Sequence, residues 1–325
     1  MKLKKIKRMV AVGTAILMTL SLAGCGIGGN SVKLGAAGVG GGYYAFSNAF
    51  AQIASSEDED LDFEVKATAG STANIRLLSD GYVDMAIAQA DLVDAAYNGT
   101  GATDKKRYRG YSAVASLYTE ACQIVVRSDS GIDSLDDLQG KKISVGEEES
   151  GTQRNAEQIL KMTGLVESLV DTVNLDYVDA ANELKSGQID AFFCTAGIQT
   201  SVIEELSKEC DVKLIGIDDK CRDRLKSVYG FYTDYTIPAG TYEGQTQDVV
   251  TLGVRAVLLA RDDMDEKIVE ELTGLLFEHA QDIQYSIALT FQIDESEAVK
   301  NVTIPFHDGA KAYYQKKGIE IQAEQ

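Results

Sequence analysis

Apolar positions from residue 32 onward first alternate and then recur at helical spacing. Val32 and Leu34 flank Lys33, small residues run from Gly35 to Gly42, and Phe46, Ala49, Phe50 and Ile53 follow three or four apart. That order predicts a strand, a glycine loop and a helix. The pattern returns at Ile143-Ser144-Val145, which leads through Gly146-Glu147-Glu148-Glu149-Ser150-Gly151 into a helix from Thr152 to Met162. Behind the two loops lie Leu78-x-x-Gly81-x-Val83-Asp84, with a strand reaching Ala90, and Leu184-x-x-Gly187-x-Ile189-Asp190, with a strand reaching Ala196. The loops are 111 residues apart and the later motifs 106, so the chain carries two α/β units of one design.

The intervening pattern fills in each unit. Phe63, Val65 and Ala67 alternate as a strand entering Thr68-Ala69-Gly70-Ser71, with Ser71 placed to cap a helix over 72–79. Gln89-Ala90-Asp91 stands at the carboxyl end of the strand 83–88. Tyr111–Tyr118 leads into a strand over 122–127, where the chain crosses to the second unit. There a strand over 173–177, a helix over 180–186 and a strand over 189–195 precede Ala196-Gly197. Residues 249–260 return to the first unit. A long helix over 265–283 follows, with Ile268, Leu272, Leu275, Leu276 and Ile283 on one face. No third copy of the repeat appears after residue 252, so the second unit reads as inserted into the first. The expected lobes are 32–120 with 252–325, and 121–251. In an open α/β sheet ligands bind beyond the carboxyl ends of strands, so the site belongs between the two loops.

The start of the chain changes where this protein is expected to work. Lys2, Lys4, Lys5, Lys7 and Arg8 precede an uncharged, mostly apolar run from Met9 to Leu22. Fourteen residues are too few to span a bilayer and fit a signal peptide over 1–24. Leu22-Ala23-Gly24-Cys25 resembles a bacterial lipobox, which makes Cys25 the lipidated first residue of the mature chain and 25–31 a tether. Without the leader's five cations the chain keeps 26 basic against 50 acidic residues, a net charge of −24. That argues against nucleic acid as a partner and for a self-repelling, monomeric surface. Cys122 and Cys194 lie in apolar runs and read as small core residues; Cys210 and Cys221 flank a short strand and could pair in an oxidising compartment.

The loops carry the candidate chemistry. A glycine loop entering a helix leaves backbone N–H groups and a helix dipole aimed at an anion. Phosphate fits poorly: Gly38-x-Gly40 is followed by Tyr43 where the dinucleotide fingerprint needs glycine, and no Gly-Lys-Ser/Thr is present. Two histidines are the whole supply for acid–base work. His279 falls on the apolar face of its helix as a core or interface residue, and His307 opens the last helix as a cap or packing group. No catalytic nucleophile motif and no metal-ligand spacing occurs, and no cofactor is implied. Arg154, a cation in the first turn of a helix, opposes the dipole, which a carboxylate partner would explain.

These residues together resemble the TAXI family, the extracytoplasmic solute receptors of one subgroup of TRAP transporters. The likeness rests on Gly40-Gly41-Gly42-Tyr43-Tyr44, Thr68-Ala69-Gly70-Ser71-x-x-Asn74, Gln89-Ala90-Asp91, Ser150-Gly151-Thr152, Gly187-x-Ile189-Asp190-Ala191-Phe192-Phe193, Ile237-Pro238-Ala239-Gly240-Thr241-Tyr242 and Ile304-Pro305-x-His307-x-Gly309-Ala310. It implies a type II periplasmic-binding-protein fold: two α/β lobes, a hinge, and a cleft that closes on solute. It also implies delivery of a small carboxylate, a glutamate-like amino acid or a dicarboxylate, to an ion-driven TRAP permease. Glu147-Glu148-Glu149 stand where that family usually has small residues or proline. The expected ligand residues are Gly40, Gly42, Tyr43, Tyr44, Ser71, Asn74 and Gln89 from one lobe, and Ser150, Gly151, Thr152, Arg154, Asn155, Ala196 and Gly197 from the other, with Tyr43 or Tyr44 covering the ligand's carbon body. The alternatives are a receptor for an ABC importer, which shares the fold, and an enzyme on that fold.

Overall fold

A strand whose side chains alternate between two cores has to be apolar on both faces, and that is how the longest strands here read. A computed structural model describes residues 30–101, 105–166, 168–287 and 293–321; the leader and Cys25 lie outside them. The first half begins with β1 (Asn30–Gly35), α1 (Gly42–Glu57), β2 (Leu61–Lys66), α2 (Ser71–Ser79), β3 (Met85–Gln89) and α3 (Ala90–Asn98). After β4 (Tyr111–Arg127) come β5 (Lys142–Ser144), α4 (Gly151–Thr163), β6 (Asp171–Val173), α5 (Tyr177–Ser186), β7 (Ala191–Ala196), α6 (Ser201–Glu209), β8 (Val212–Leu214), α7 (Asp219–Val228) and β9 (Thr233–Ile237). The chain returns along β10 (Val249–Arg261) and ends in α8 (Glu266–Glu278), α9 (Ala280–Ser286) and α10 (Asp308–Lys317).

The main path through the sheet runs β2-β1-β3-β10-β4-β7-β5-β6, with β8 paired to β4 and β9 to β10. β1, β2 and β3 are parallel, as are β5, β6 and β7. β10 and β4 run antiparallel between these two groups. One core collects Leu34, Phe46, Ile87 and Tyr118 with Leu258 and Leu276. Two more cover the faces of the second group: Ile124 and Val126 of β4 point into one, and Val125 between them points into the other. This period of two explains why β4 is almost wholly buried over 17 residues. At the crossing between the cores, Val254 of β10 pairs with Glu120 of β4.

The duplicated motif has one structural job in both halves. Asp84 Oδ2 accepts from the Lys33 amide at 2.8 Å, and Asp190 Oδ2 accepts from the Lys142 amide at 2.8 Å, so each aspartate closes the edge of its loop-bearing strand. Gly81 and Gly187, at φ 75° and 74°, make the left-handed turn after α2 and α5.

Several boundaries differ from the sequence expectation. Asn30 and Ser31, read as tether, pair with Leu61 and Asp62 and belong to β1. Residues 173–177 are not one strand: Asp176 caps α5, its side chain accepting from the Asp179 amide at 2.8 Å, and Tyr177 begins the helix. The helix expected over 265–283 divides at His279, where φ is −107° and ψ 19°. His279 leaves the apolar core face and meets Asp282 and Glu57 at 3.1 and 3.6 Å. Cys210 and Cys221 are separate free thiols. His307 caps α10 as expected, Nδ1 accepting from the Gly309 amide at 3.1 Å. Among the described residues no helix is long and apolar enough to cross a membrane.

α10 lies on α8 at Gly309, where an added Cβ would overlap the Glu266 carbonyl oxygen and sit 2.8 Å from the Glu270 nitrogen. Backbone cannot swing aside as a side-chain end can. Gly309→Ala is therefore expected to lower stability by about 2–3 kcal/mol. Urea unfolding measures it, and an unchanged midpoint would mean α10 does not dock as described.

Candidate functional site

Three helix N-termini meet across one small cavity. α1 starts from the Gly35–Gly41 loop, α2 from Gly70, and α4 from the Gly146–Ser150 loop. The cavity holds about 30 Å3, room for two or three water-sized groups at about 10–15 Å3 each. Gly42, Tyr43, Ser71 and Gln89 line it from the first half of the fold; Ser150, Gly151 and Thr152 line it from the second. The first-turn amides of Gly42, Tyr43, Gly151 and Thr152 have no protein acceptor among the described residues. Two helices thus present donors to one space, which attracts an anionic group.

The α4 loop is held by its own capping. Ser150 Oγ accepts from the Gln153 amide at 2.9 Å, and Gln153 Oε1 accepts from the Glu149 amide at 3.0 Å. α2 is different. Ser71, expected as its cap, sits inside the helix with its hydroxyl accepting from the Gln89 amide at 3.1 Å. The cap position is Gly70 at φ 123°, a conformation only glycine adopts readily, with no side-chain bond. The amides of Thr72 and Ala73 instead donate to the Glu149 carbonyl at 3.1 and 3.3 Å, across the cleft. Glu149 reaches that position at φ 66°, and its carboxylate pairs with Arg76 at 2.6 Å.

Half of the expected ligand residues are elsewhere. Gly40 lies at the rim, its carbonyl accepting from Ser201 Oγ at 3.2 Å. Tyr44 is one position round the helix and does not line the cavity. Asn74 is fully buried behind the wall; its Nδ2 donates to the carbonyls of Gly35, Ala36 and Ile87, so it ties strand ends together rather than touching solute. Asn155 forms a second layer, accepting from Gln89 Nε2 at 3.0 Å and donating to Tyr232 OH at 2.8 Å. Ala196 and Gly197 sit just past the wall residue Thr195.

Arg154 faces away from the cavity. Its side chain is 26 % exposed, 4.0 Å from Glu157, and lies 3.0 Å from the Gln158 amide oxygen when that amide is oriented toward it. Arg154→Ala is accordingly expected to leave ligand affinity within about threefold, where a buried charge pair would cost about 2–5 kcal/mol. Calorimetric titration of the variant checks this, and a hundredfold loss would return Arg154 to the site.

The residues not anticipated are the acids and one ring. Glu120, 2 % exposed, stands at the strand crossing with one carboxylate oxygen accepting from Tyr43 OH at 2.6 Å. Burial pushes its carboxyl up to about 8, against the opposing pull of the Tyr43 and Gln89 hydrogen bonds. Glu147 and Asp176 also line the cavity, and Glu147 is raised first by burial and then by the Asp176 charge. Among the described residues no lysine, arginine or histidine lines it. Tyr177 supplies the aromatic wall: its hydroxyl donates to the Thr195 carbonyl at 3.1 Å and lies 2.6 Å from Thr152 Oγ1. A Cβ at Gly41 would come within 3.1 Å of that ring, which explains the run of glycine opposite it. Gln89, also 2 % exposed, leaves its Oε1 without a hydrogen-bond partner. Among the described residues no cluster of acids, histidines and cysteines is placed to hold a metal ion.

Comparison with known proteins places the chain. The profile of the NMT1-like family matches residues 34–318, and the chain belongs to that family. Solved structures give the fold. A protein named as an L-cystine ABC transporter from Listeria monocytogenes is 14 % identical, covers 82 % of this chain and 99 % of its own, and superposes with a TM-score of 0.52. A structure concerning glutathione import via GshT and the cystine ABC importer of Streptococcus mutans is 11 % identical over 82 % of this chain and 99 % of its own, also at 0.52. The alkanesulfonate-binding protein SsuA of Xanthomonas axonopodis pv. citri, at 15 % identity and TM-score 0.48, covers 80 % of this chain and 78 % of its own. The architecture is the two-lobed α/β periplasmic-binding-protein fold.

Proposed function

We propose that this protein is an extracytoplasmic solute receptor, without catalysis of its own, that encloses a small carboxylate and passes it to a membrane importer. The observation that carries this reading is the pair of helix N-termini, α1 and α4, whose first-turn amides at Gly42, Tyr43, Gly151 and Thr152 face one cavity. Lobes over 32–120 with 252–325 and over 121–251, joined through β4 and β10, would part to admit solute and close over it. A ligand touching both loops binds the closed form better, which is the only way it can shift that equilibrium. Lipidation at Cys25 would hold a monomeric receptor at the membrane face.

The importer is a separate matter. Two of the structural relatives are named for ABC import, which favours an ATP-driven partner over the ion-driven TRAP permease that the motifs resemble. Uptake into vesicles carrying the partner permease, energised by ATP or by a sodium gradient, separates the two.

The receptor reading is tested by thermal shift. A carboxylate at about 100 times its Kd should add about 2.7 kcal/mol of apparent stability. Small-angle scattering should show a fall in radius of gyration over the same concentrations. Stabilisation by sugars or metal cations, with none from any carboxylate, rejects the reading.

A further inference from the structure

We propose that Glu120 and Gln89 form an ammonium subsite, so that the solute is a small zwitterion with one carboxylate, a neutral amino acid rather than a dicarboxylate. This inference rests on the receptor reading and narrows it.

The cavity has two chemically distinct ends. One is the set of donors on α1 and α4. The other is built from acceptors: the Glu120 carboxyl group, held by hydrogen bonds from Tyr43 and Gln89, and Gln89 Oε1, buried and unpartnered among the described residues. A buried carboxyl group able to ionise and an orphaned amide oxygen are both relieved by a group carrying several N–H donors, and a primary ammonium carries three. A second carboxylate on the solute would instead meet Glu147 and Asp176, with no lysine, arginine or histidine among the described residues of the wall to offset them. Like charges in a desolvated space are strongly unfavourable, so Glu147 and Asp176 select against glutamate and dicarboxylates and leave a neutral amino acid favoured.

The groups facing Glu120 are Tyr43 from α1, Asp91 from α3, Tyr118 and Cys122 from its own strand, Tyr177 from α5 and Cys194 from β7. Asp91 is the other carboxyl among them, and burial raises it to about 6. Glu120 therefore holds its proton at neutral pH until a cation arrives, and seating an ammonium expels that proton to solvent. Binding should release close to one proton at pH 7, and affinity should rise about tenfold per pH unit between about 6 and 8.

The test is calorimetric titration of the full mature chain with matched pairs that differ only in the amine: glycine with glycolate, alanine with lactate, serine with glycerate, and succinate as a dicarboxylate. At least one amino acid should bind about 30-fold or more tighter than its hydroxy partner and than succinate. Repeating the titration in buffers of different ionisation enthalpy should reveal the released proton. Glu120→Gln, folded by circular dichroism, should bring the pair within about threefold and abolish both proton release and the pH dependence. Hydroxy acids or succinate binding as tightly as amino acids, or an unchanged Glu120→Gln, overturns the subsite while leaving the receptor intact. No binding by any of the seven compounds overturns the receptor reading for small carboxylates and the subsite with it.

Discussion

Asn74→Ala is expected to cost about 3 kcal/mol or more of stability, the largest loss from a single polar side chain near the cleft. Asn74 is fully buried and donates to three backbone carbonyls, those of Gly35, Ala36 and Ile87, while its Oδ1 accepts from Thr68 Oγ1 at 2.7 Å. These carbonyls stand where β1 and β3 release the chain into the site loops. Truncation removes their side-chain donor in a place water does not reach; Ala36 keeps the Thr68 hydroxyl, and the acceptors left short of a donor carry the desolvation penalty. Asn74→Asp should be no better, because a carboxylate cannot donate to a carbonyl. Denaturant unfolding of both variants measures the loss. Normal stability with weakened ligand binding would instead make Asn74 the contact residue that its sequence context implies.

Glu120→Gln should move stability the other way, and only as pH rises. A buried carboxyl raised to about 8, against about 4.3 in the unfolded chain, keeps its proton in the native state after the unfolded state has released it. Stability then falls as pH climbs from about 4.3 toward about 8, by up to about 1.4 kcal/mol per unit. Asp91, raised to about 6, adds a loss of the same sign over a lower window. Melting temperatures of the ligand-free protein should decline from pH 5 to 8, and the glutamine variant should flatten the upper part of that decline, gaining several kcal/mol at pH 8. Identical pH profiles for the two proteins would show that Glu120 is solvated rather than enclosed. A stabilising change that abolishes binding is the pattern expected where a site keeps a costly charge for function.

How far the site was legible can be followed residue by residue. Loops entering helices, and the paired Gly-x-Val/Ile-Asp motifs, are local patterns, and they located Gly42, Tyr43, Gly151 and Thr152 correctly at the cavity. Polarity near a loop does not say which way a side chain turns. Asn74 and Arg154 carry ligand-like chemistry, yet one points into the strand ends and the other outward beside Glu157. Tyr177 was hidden because Val173–Tyr177 alternates like a strand, while the Asp176 cap that starts α5 overrides that alternation. Glu120 left a signal that went unused: it is the one acid in the run 111–126, and a lone charge inside a buried strand marks a place where the fold tolerates a penalty. Its position opposite the two loops depends on how β4 crosses between cores, and that is a property of the folded sheet alone.

The carbonyl of Glu149 gives the cleft an energetic character of its own. Helix α2 has no cap within its own half, and borrows one from the facing loop at residues 72 and 73. Parting the halves would strip that cap, a loss of about 1 kcal/mol. Glu149 presents that carbonyl from a left-handed backbone, at φ 66°, a strain of about 1 kcal/mol or more. The Arg76–Glu149 ion pair and the Gln89–Asn155 and Ser201–Gly40 hydrogen bonds cross the same gap, so the cap is one of several ties that such a movement would have to break. A solute holds the enclosed form only by binding it better than the parted one, and Glu149→Gly, which keeps the carbonyl but removes the carboxylate that Arg76 meets, separates the electrostatic tie from the borrowed cap.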